Sequence, residues 1–150
     1  MLTNFQLSPN FSYREATYSV SAINNKIDNS PSPVQLKNME FTASKMEEVR
    51  KLLDNRPILV TSWFRSLALN KAIGGAMKSQ HAQGQAVDFK CPGYGNIRRI
   101  CEILILNKET LQYDQLILEP TWVHISFIAE GTPRLNELTY LGPGQYANNI

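Results

Sequence analysis

Residues 115–128, QLILEPTWVHISFI, decide how the chain folds around its functional region. Gln115 to Glu119 is apolar and strand-like, and Pro120-Thr121 has the composition of a turn. Trp122 to Ile128 predicts a second strand. Two strands joined by a short turn indicate a sheet, around which the rest of the chain is arranged.

The second of these strands has one polar and one apolar face. Successive side chains of a strand point to opposite faces, which separates its residues into two sets. One set, directed away from the core, contains Trp122, His124 and Ser126. The other set, directed into the core, contains Val123, Ile125 and Phe127. A histidine between a tryptophan and a serine on such a strand needs a functional reason.

A second informative stretch is SQHAQGQAVDF, residues 79–89, which holds one of only two histidines in the chain. Asp88 shares a strand face with Ala86, while the residues on either side of Asp88 are apolar and point the other way. His81, Asp88 and His124 are therefore three potential metal ligands with small or polar neighbours.

The remaining predicted elements fit a single α+β domain in which helices flank a small antiparallel sheet. They are a short helix opened by a capping box at Ser12 to Glu15, a long amphipathic helix over 34–53, a strand over 58–62, a short helix capped by Ser66 and ending at Ala72, and an amphipathic helix from Ile97 to near Asn107.

Composition is that of a globular protein and argues against several classes of partner. The 150 residues are 43% hydrophobic and 19% charged, which suits one compact domain. A net charge of +2 on scattered Lys and Arg argues against nucleic acid. No apolar run is long enough to span a bilayer, so no membrane partner is expected. The first residues lack a basic region followed by an apolar stretch, so we expect no signal peptide and synthesis in the cytoplasm.

Two histidines and one aspartate match the ligand count of a catalytic zinc site, which takes three protein ligands and keeps one position open. Because both histidines are then assigned to metal, the general base must be a carboxylate. Glu119 is the nearest candidate upstream of His124, across a short turn, and would accept a proton from the attacking water. Cys91 and Cys101 are expected to be reduced, and neither belongs to a Cys-x-x-Cys motif.

Each of these residues also has a structural interpretation. A histidine near a strand is more often hydrogen-bonded within the protein than bound to metal, and an aspartate after Ala-Val commonly caps a turn. Glu119 taken alone is more often a surface charge at a strand end. From the residues alone, a metal site and a set of structural side chains both stay open.

The spacing SxHxxGxAxD over residues 79–88, followed by WxHIS over 122–126, resembles the M15 family of zinc D-alanyl-D-alanine peptidases, particularly its phage and prophage branch. Segments 60–66 and 69–75 resemble the arginine-bearing part of that branch that precedes the metal motif. The similarity runs over most of residues 2–128. It implies a zinc peptidase fold of the hedgehog and DD-peptidase type.

The resemblance also implies the roles of four residues. His81, Asp88 and His124 would hold Zn²⁺. Arg65 matches the family arginine that binds substrate and stabilises the developing oxyanion, a role that suits a planar, permanently charged guanidinium. The other interpretation of Arg65 is an ion pair at the surface or at a helix start.

Three small residues are assigned supporting roles. Ser79 and Ser126 are expected to hydrogen-bond the substrate or to orient the metal ligands, and both also fit ordinary turn and strand positions. Gly84 is expected where the backbone approaches the site too closely for a side chain.

One departure from the family concerns the general base. Several members place a catalytic acid or histidine two or three residues before the last zinc histidine, where this chain has Thr121 and Trp122. Neither side chain is a base. Glu119 is therefore the expected base, with Asp114, at the far end of the same strand, in reserve.

The function implied is a zinc-dependent metallopeptidase that hydrolyses peptide bonds of bacterial peptidoglycan, either as a D-alanyl-D-alanine carboxypeptidase or as an endolysin-type endopeptidase. A single peptidase domain would comprise an N-terminal arm (1–33), a catalytic core (34–128) and a C-terminal tail (129–150). Its partners would be peptidoglycan peptides. The enzyme would reach them after lysis, with the help of a lysis partner, or as part of a phage particle. The alternative is a non-catalytic wall-binding or virion structural domain, which would need neither Glu119 nor Arg65.

Overall fold

A computed structural model describes residues 4–150 of the chain. The expectation of no signal peptide and the start of the family resemblance fall partly on residues 1–3, which lie outside the described residues. The strands are β1 (Gln6–Ser8), β2 (Phe11–Ser12), β3 (Leu59–Ser62), β4 (Ala86–Lys90), β5 (Gln115–Leu118), β6 (Val123–Ser126), β7 (Asn136–Gly142) and β8 (Gln145–Ala147). The helices are α1 (Tyr13–Thr17), α2 (Val20–Asn24), α3 (Pro33–Leu52), α4 (Leu67–Ala72), α5 (Ile97–Leu106) and α6 (Lys108–Leu111), with a short 3-10 helix at Gln80–Gln83.

The main sheet has six strands in the order β3-β4-β6-β5-β7-β8, and β1 pairs separately with β2. Every neighbouring pair in the main sheet is antiparallel except β5 and β7, which are parallel. The predicted α+β class, a small and mainly antiparallel sheet with flanking helices, is thus confirmed. It is consistent with the fold of an M15 peptidase.

Helix α3 begins and packs as its sequence indicates. The Ser32 hydroxyl accepts a hydrogen bond from the backbone N–H of Gln35, the Ser32 N–H donates to the Gln35 side-chain oxygen, and Pro33 occupies the first turn. The buried side chains recur every three or four residues, at Met39, Ala43, Met46 and Val49. The predicted bounds, 34–53, differ from the observed helix by one residue at each end.

One face of the sheet carries the hydrophobic core. Val87, Phe89, Val123 and Ile125 join the buried side chains of α3 and α5 in a single cluster. The alternation predicted for β6 is confirmed, because Val123, Ile125 and Phe127 all belong to that cluster. Since both amphipathic helices contribute to this side, the opposite face of the sheet is left for polar residues.

The structure differs from the sequence analysis after residue 128. The sequence predicts a C-terminal tail over residues 129–150, and the structure places strands β7 and β8 there, which extend the main sheet. Nearly all side chains of β7 are half-buried, so neither of its faces shows a clear apolar pattern. Helix α2, in the N-terminal arm, was not predicted either, although Ser19 caps it with a hydrogen bond from the Ala22 N–H.

Among residues 4–150, no helix combines the length and the apolar character needed to cross a membrane. Cys91 and Cys101 are both free, and both belong to the hydrophobic core.

Candidate metal centre and active-site cleft

A row of cross-strand partners crosses the polar face of the sheet. Asp88 of β4 lies opposite His124 of β6, and on either side the row continues to Ser62 of β3 and Ile117 of β5. Directly opposed residues in a sheet have their Cβ atoms about 4.5–5.5 Å apart. Strand register therefore brings Asp88 and His124 together, although a long connection separates them in the chain.

A β-bulge in β3 adds Ser62 to this row. Val60 pairs with the core residue Phe89, and two positions later Ser62 pairs with Asp88, one position along the partner strand. Thr61 is the extra residue of the bulge, and its hydroxyl donates to the carbonyl oxygen of Asp88. The irregularity redirects the end of β3, so that Ser62 faces the metal-binding side while Val60 still packs on the core.

His81 is brought to Asp88 by the 3-10 helix. The Ser79 hydroxyl accepts a hydrogen bond from the His81 backbone N–H and caps this helix. The His81 imidazole is only 3% exposed, and its Nδ1–H donates to the Trp63 carbonyl oxygen at 2.7 Å. Because a carbonyl can only accept, Nδ1 carries the hydrogen and Nε2 presents a lone pair.

The Nε2 atom of His81 is the decisive feature of the site. It is buried, lies 3.2 Å from Oδ2 of Asp88, and has no hydrogen-bond partner among the described residues. A buried polar atom without a partner is costly, unless something binds it. Its lone pair points toward the other two potential ligands, which is the arrangement of a histidine prepared to bind a metal ion.

His124 completes the cluster. Its Nδ1 lies 2.8 Å from Oδ1 of Asp88, and the two imidazole rings are 5.2 Å apart. The ligand atoms of His81, Asp88 and His124 all lie within 4.8 Å of one another. Two imidazoles and one carboxylate at this separation fit a divalent transition metal such as zinc.

The protonation states of this cluster suit metal binding. Burial lowers the pKa of His81, although the nearby Asp88 carboxylate raises it in part, so this imidazole is neutral near pH 7. Burial on its own would raise the pKa of Asp88, but the attraction of a protonated His81 and the hydrogen bond from His124 outweigh burial and hold that pKa well below the usual range, so a proton taken up by the cluster goes to an imidazole and Asp88 stays ionised. A neutral imidazole and an ionised carboxylate are the forms that bind metals.

The close approach at Gly84 differs from the expected one. Gly84 has φ of +75° and ends the 3-10 helix, and a Cβ atom there would lie 2.6 Å from Cγ of Met39 and 2.9 Å from the Gln35 carbonyl oxygen. The neighbour that excludes a side chain is therefore helix α3 and not the metal site. Glycine here lets the His81 segment pack against α3.

Arg65 reaches the cluster from the loop after β3. Its Nε donates to the Ser62 hydroxyl and its Nη1 to the Asn70 side-chain oxygen, each at 3.2 Å, while Nη2 lies 3.8 Å from Oδ2 of Asp88. The Asn70 amide in turn donates to the Ala76 carbonyl. These contacts hold the guanidinium beside the candidate metal ligands.

Glu119 is placed by the turn between β5 and β6. Its backbone N–H donates to the Trp122 carbonyl at 3.2 Å, which closes the turn. Ile117 lies opposite His124, so Glu119, two residues after Ile117, projects from the same face as the metal ligands. Burial raises the pKa of Glu119, with the charge of His124 opposing that rise and the charge of Asp88 adding to it.

These residues line one cleft of about 450 Å³. Its walls include the metal-binding cluster, Arg65 and Glu119, and also residues to which the sequence analysis assigned no role: Lys78, Gln80, Trp122, Arg134 and Tyr146. Arg134 and Tyr146 come from the segment that was assigned to a tail. No local signal in the sequence marks either of them, because their place in the cleft depends on how β7 and β8 join the sheet.

The three remaining candidates lie in different surroundings. Ser79 lines the cleft, but its hydroxyl is engaged by the backbone of His81. Ser126 is on the expected strand face but is 0% exposed, and its hydroxyl has no partner among residues 4–150. Asp114 is 4% exposed, outside the cleft lining, and accepts hydrogen bonds from Arg134 and Gln80. Of Glu119 and Asp114, only Glu119 lines the cleft that contains the candidate metal ligands.

A family model described as peptidase M15 matches residues 9–126, which is most of the chain. The chain belongs to the peptidase M15 family. The M15 match contains every residue of the metal-binding cluster, together with Arg65 and Glu119.

A zinc D-Ala-D-Ala carboxypeptidase of Streptomyces albus G is similar to part of this M15 chain. The two are 34% identical over 58 residues, which is 39% of this chain and 23% of the relative. The chain thus spans less than a quarter of that relative's length. Family membership together with this similarity supports a metallopeptidase.

Proposed function

We propose that this M15 family member is a zinc-dependent peptidase that hydrolyses peptide bonds of bacterial peptidoglycan. The observation that carries the proposal is the convergence of His81, Asp88 and His124, whose ligand atoms lie within 4.8 Å of one another in a cleft that also contains Glu119 and Arg65. The ligand set fits zinc, and the choice of zinc is supported by the relative from Streptomyces albus G, which is a zinc enzyme by name.

The two histidines would bind the ion through different ring nitrogens. His81 would bind through Nε2, because its Nδ1 is occupied by the Trp63 carbonyl. His124 would bind through Nδ1, the atom that faces Asp88. When bound, zinc polarises a substrate carbonyl and lowers the pKa of water toward about 7, which makes water nucleophilic at neutral pH.

Glu119 is the proposed general base. It would accept a proton from the attacking water and pass it to the leaving amine of the cleaved peptide. Its burial raises its pKa, so its carboxylate is a stronger base than an exposed glutamate. With both histidines committed to the metal, no other carboxylate lining the cleft is free for this role, since Asp88 is a ligand.

Arg65 is the proposed electrostatic partner of the substrate. Its guanidinium is held beside Asp88 by Ser62 and Asn70, so little motion is needed when negative charge develops on the substrate oxygen. A fixed cation stabilises a transition state more than a mobile one, because it need not reorient during the reaction and so adds no reorganisation free energy.

The proposed substrates are the stem peptides of peptidoglycan, cut either at a terminal D-alanine or within the peptide. We further propose a phage or prophage origin, in which the enzyme reaches the wall after lysis or as part of the virion. The proposed substrates are supported by the motifs over residues 79–88 and 122–126 and by the similarity to a D-Ala-D-Ala carboxypeptidase. The proposed phage origin rests on the resemblance of the motifs and of segments 60–66 and 69–75 to that branch of the family.

Digestion of purified peptidoglycan tests the proposal. Zinc-loaded protein should release peptides whose masses, measured by mass spectrometry, identify the bond, and Asp88→Ala should release none. A single terminal alanine would identify a carboxypeptidase, and longer fragments would identify an endopeptidase. A protein that sediments with the wall and releases no peptide would be a non-catalytic wall-binding domain, and the peptidase proposal would be wrong.

A further inference from the structure

The C-terminal strands add a wall to the cleft that the family match does not include. The matched residues end at 126, whereas β7 and β8 cover residues 136–147. Tyr146 of β8 lines the same cleft as His81 and Glu119.

Strand register places Tyr146 on the same face as the metal-binding cluster. Ile117 lies opposite His124 on one side and opposite Leu138 of β7 on the other. Tyr140, two residues after Leu138, shares that face, and Tyr146 is its direct partner on β8. Tyr146 thus lies on the same face of the sheet as the candidate metal ligands. Strands β5 and β7 separate it from them, and Glu119, which follows β5, projects between.

The ring of Tyr146 is supported from outside the cleft. It packs edge-to-face against Tyr140, with ring centroids 5.6 Å apart. Tyr146 lines the cleft and Tyr140 does not. With 42% of its surface exposed, Tyr146 is open to a ligand while one side of its ring is held in place.

The hydroxyl of Tyr146 is suited to donate a hydrogen bond. Partial burial raises the pKa of this phenol, and the negative charges of Glu119 and Asp88 and the neighbouring Tyr140 raise it further. A phenol has an ordinary pKa of about 10, so this raised pKa keeps the Tyr146 hydroxyl protonated at neutral pH. A peptide in the cleft carries a carbonyl acceptor at every residue, and a neutral donor at this wall can bind one.

We propose that the phenolic hydroxyl of Tyr146 is a substrate-binding group that donates a hydrogen bond to a backbone carbonyl of the bound peptide, on the Glu119 side of the cleft. Arg65 then holds the peptide at the β3 side and Tyr146 at the β8 side, with the metal ligands between them. This inference rests on the proposed peptidase function, and it extends the substrate site beyond the residues of the family match.

Tyr146→Phe tests the inference, with Tyr140→Phe as the matched control. Each change removes one hydroxyl and keeps the aromatic pair, but only the first removes a donor from the cleft. Loss of one neutral hydrogen bond should lower kcat/KM by roughly 2- to 10-fold for Tyr146→Phe on a peptidoglycan peptide that the wild type cleaves. The control should stay within about 2-fold of wild type, and zinc content should be equal in all three proteins.

A binding measurement provides a second readout that does not depend on turnover. In the Glu119→Gln background, calorimetry with the same peptide should show a weaker Kd when Tyr146→Phe is added. Equal kcat/KM and equal Kd with and without the Tyr146 hydroxyl would overturn the inference while the wild type remains an active peptidase. Equal losses for both tyrosine variants would also overturn it, because they would indicate hairpin packing. Absence of cleavage by the zinc-loaded wild type would instead contradict the proposed function itself.

Discussion

Asp88 and His124 are direct cross-strand partners, and Oδ1 of Asp88 lies 2.8 Å from Nδ1 of His124. His81 approaches the other carboxylate oxygen through its Nε2, at 3.2 Å. The two histidines therefore present different ring nitrogens to the same carboxylate. This asymmetry has a backbone cause, since the Trp63 carbonyl occupies Nδ1 of His81.

The asymmetry leads to a spectroscopic prediction. When zinc is added to ¹⁵N-labelled protein, we expect the His81 Nε2 and His124 Nδ1 resonances to shift to values typical of metal-bound nitrogen, while Nδ1 of His81 stays protonated. Long-range ¹H–¹⁵N correlation spectra of the imidazoles report this directly. Metal-bound signals from Nδ1 of His81 or from Nε2 of His124 would contradict the ligand geometry.

The Glu119→Gln substitution tests the general base without changing the proposed metal ligands. The amide keeps the size of the side chain but cannot accept the proton, so turnover should fall by roughly 10²–10⁴-fold. Zinc content should be unchanged, because Glu119 is not a ligand. The matched control is Glu130→Gln, an exposed glutamate in the connection between β6 and β7, which should keep wild-type turnover. Wild-type turnover in the Glu119 variant would exclude it as the base.

Gly84→Ala tests the packing of the His81 segment on α3. The new Cβ would meet Met39 and Gln35 and would hold a positive φ, so the free energy of unfolding should fall by about 2–4 kcal/mol. Gly74→Ala is the control, because Gly74 has nearly the same φ, +74°, with nothing within 4 Å of the added atom. Its loss should be about 1 kcal/mol. Equal losses in urea denaturation would show that backbone strain, and not contact with α3, accounts for the effect.

Asp114→Asn tests the buried carboxylate behind the cleft. Burial opposes its ionisation, but hydrogen bonds from Arg134 and Gln80 outweigh burial and hold the pKa of Asp114 below its ordinary value. A lowered pKa stabilises the fold above the unfolded-state pKa of about 3.9, and that stability is lost as pH falls toward the folded-state pKa. At pH 7 the variant should be less stable by about 1–3 kcal/mol.

The critical measurement is how the stability difference between the wild type and Asp114→Asn changes with pH. Urea denaturation of both proteins should show a gap that is constant from about pH 7 to pH 5 and that narrows below about pH 4. A gap that stays the same at low pH would mean that the Asp114 charge contributes nothing to stability.

The site could be predicted from sequence where the chemistry is local. Glu119 and His124 lie in one hairpin, so the short turn was enough to predict that they lie close together, and strand alternation placed His124 on the polar face. The meeting of Asp88 with His124 needed the family resemblance, because alternation assigns each residue a face but does not pair two distant strands.

The burial of a residue and its contacts with distant elements could not be predicted in the same way. Alternation correctly put Ser126 on the face of His124, but the residue is fully buried, which depends on what covers the strand end. The close approach at Gly84 was expected at the metal and occurs at α3, since a glycine shows that space is short but not which neighbour takes it. Tyr146 reaches the cleft through the pairing of β7 with β5 and of β8 with β7, and strand alternation does not predict which distant strands pair.

The most direct test of the proposed metal centre is the number of zinc ions that the initially metal-free protein binds. Calorimetric titration of wild-type protein with zinc should give about one ion per chain, as should titration of Glu119→Gln, while Asp88→Ala should bind none at the same concentrations. Failure of the wild type to bind zinc, or equal binding by Asp88→Ala, would contradict a metal centre built from His81, Asp88 and His124.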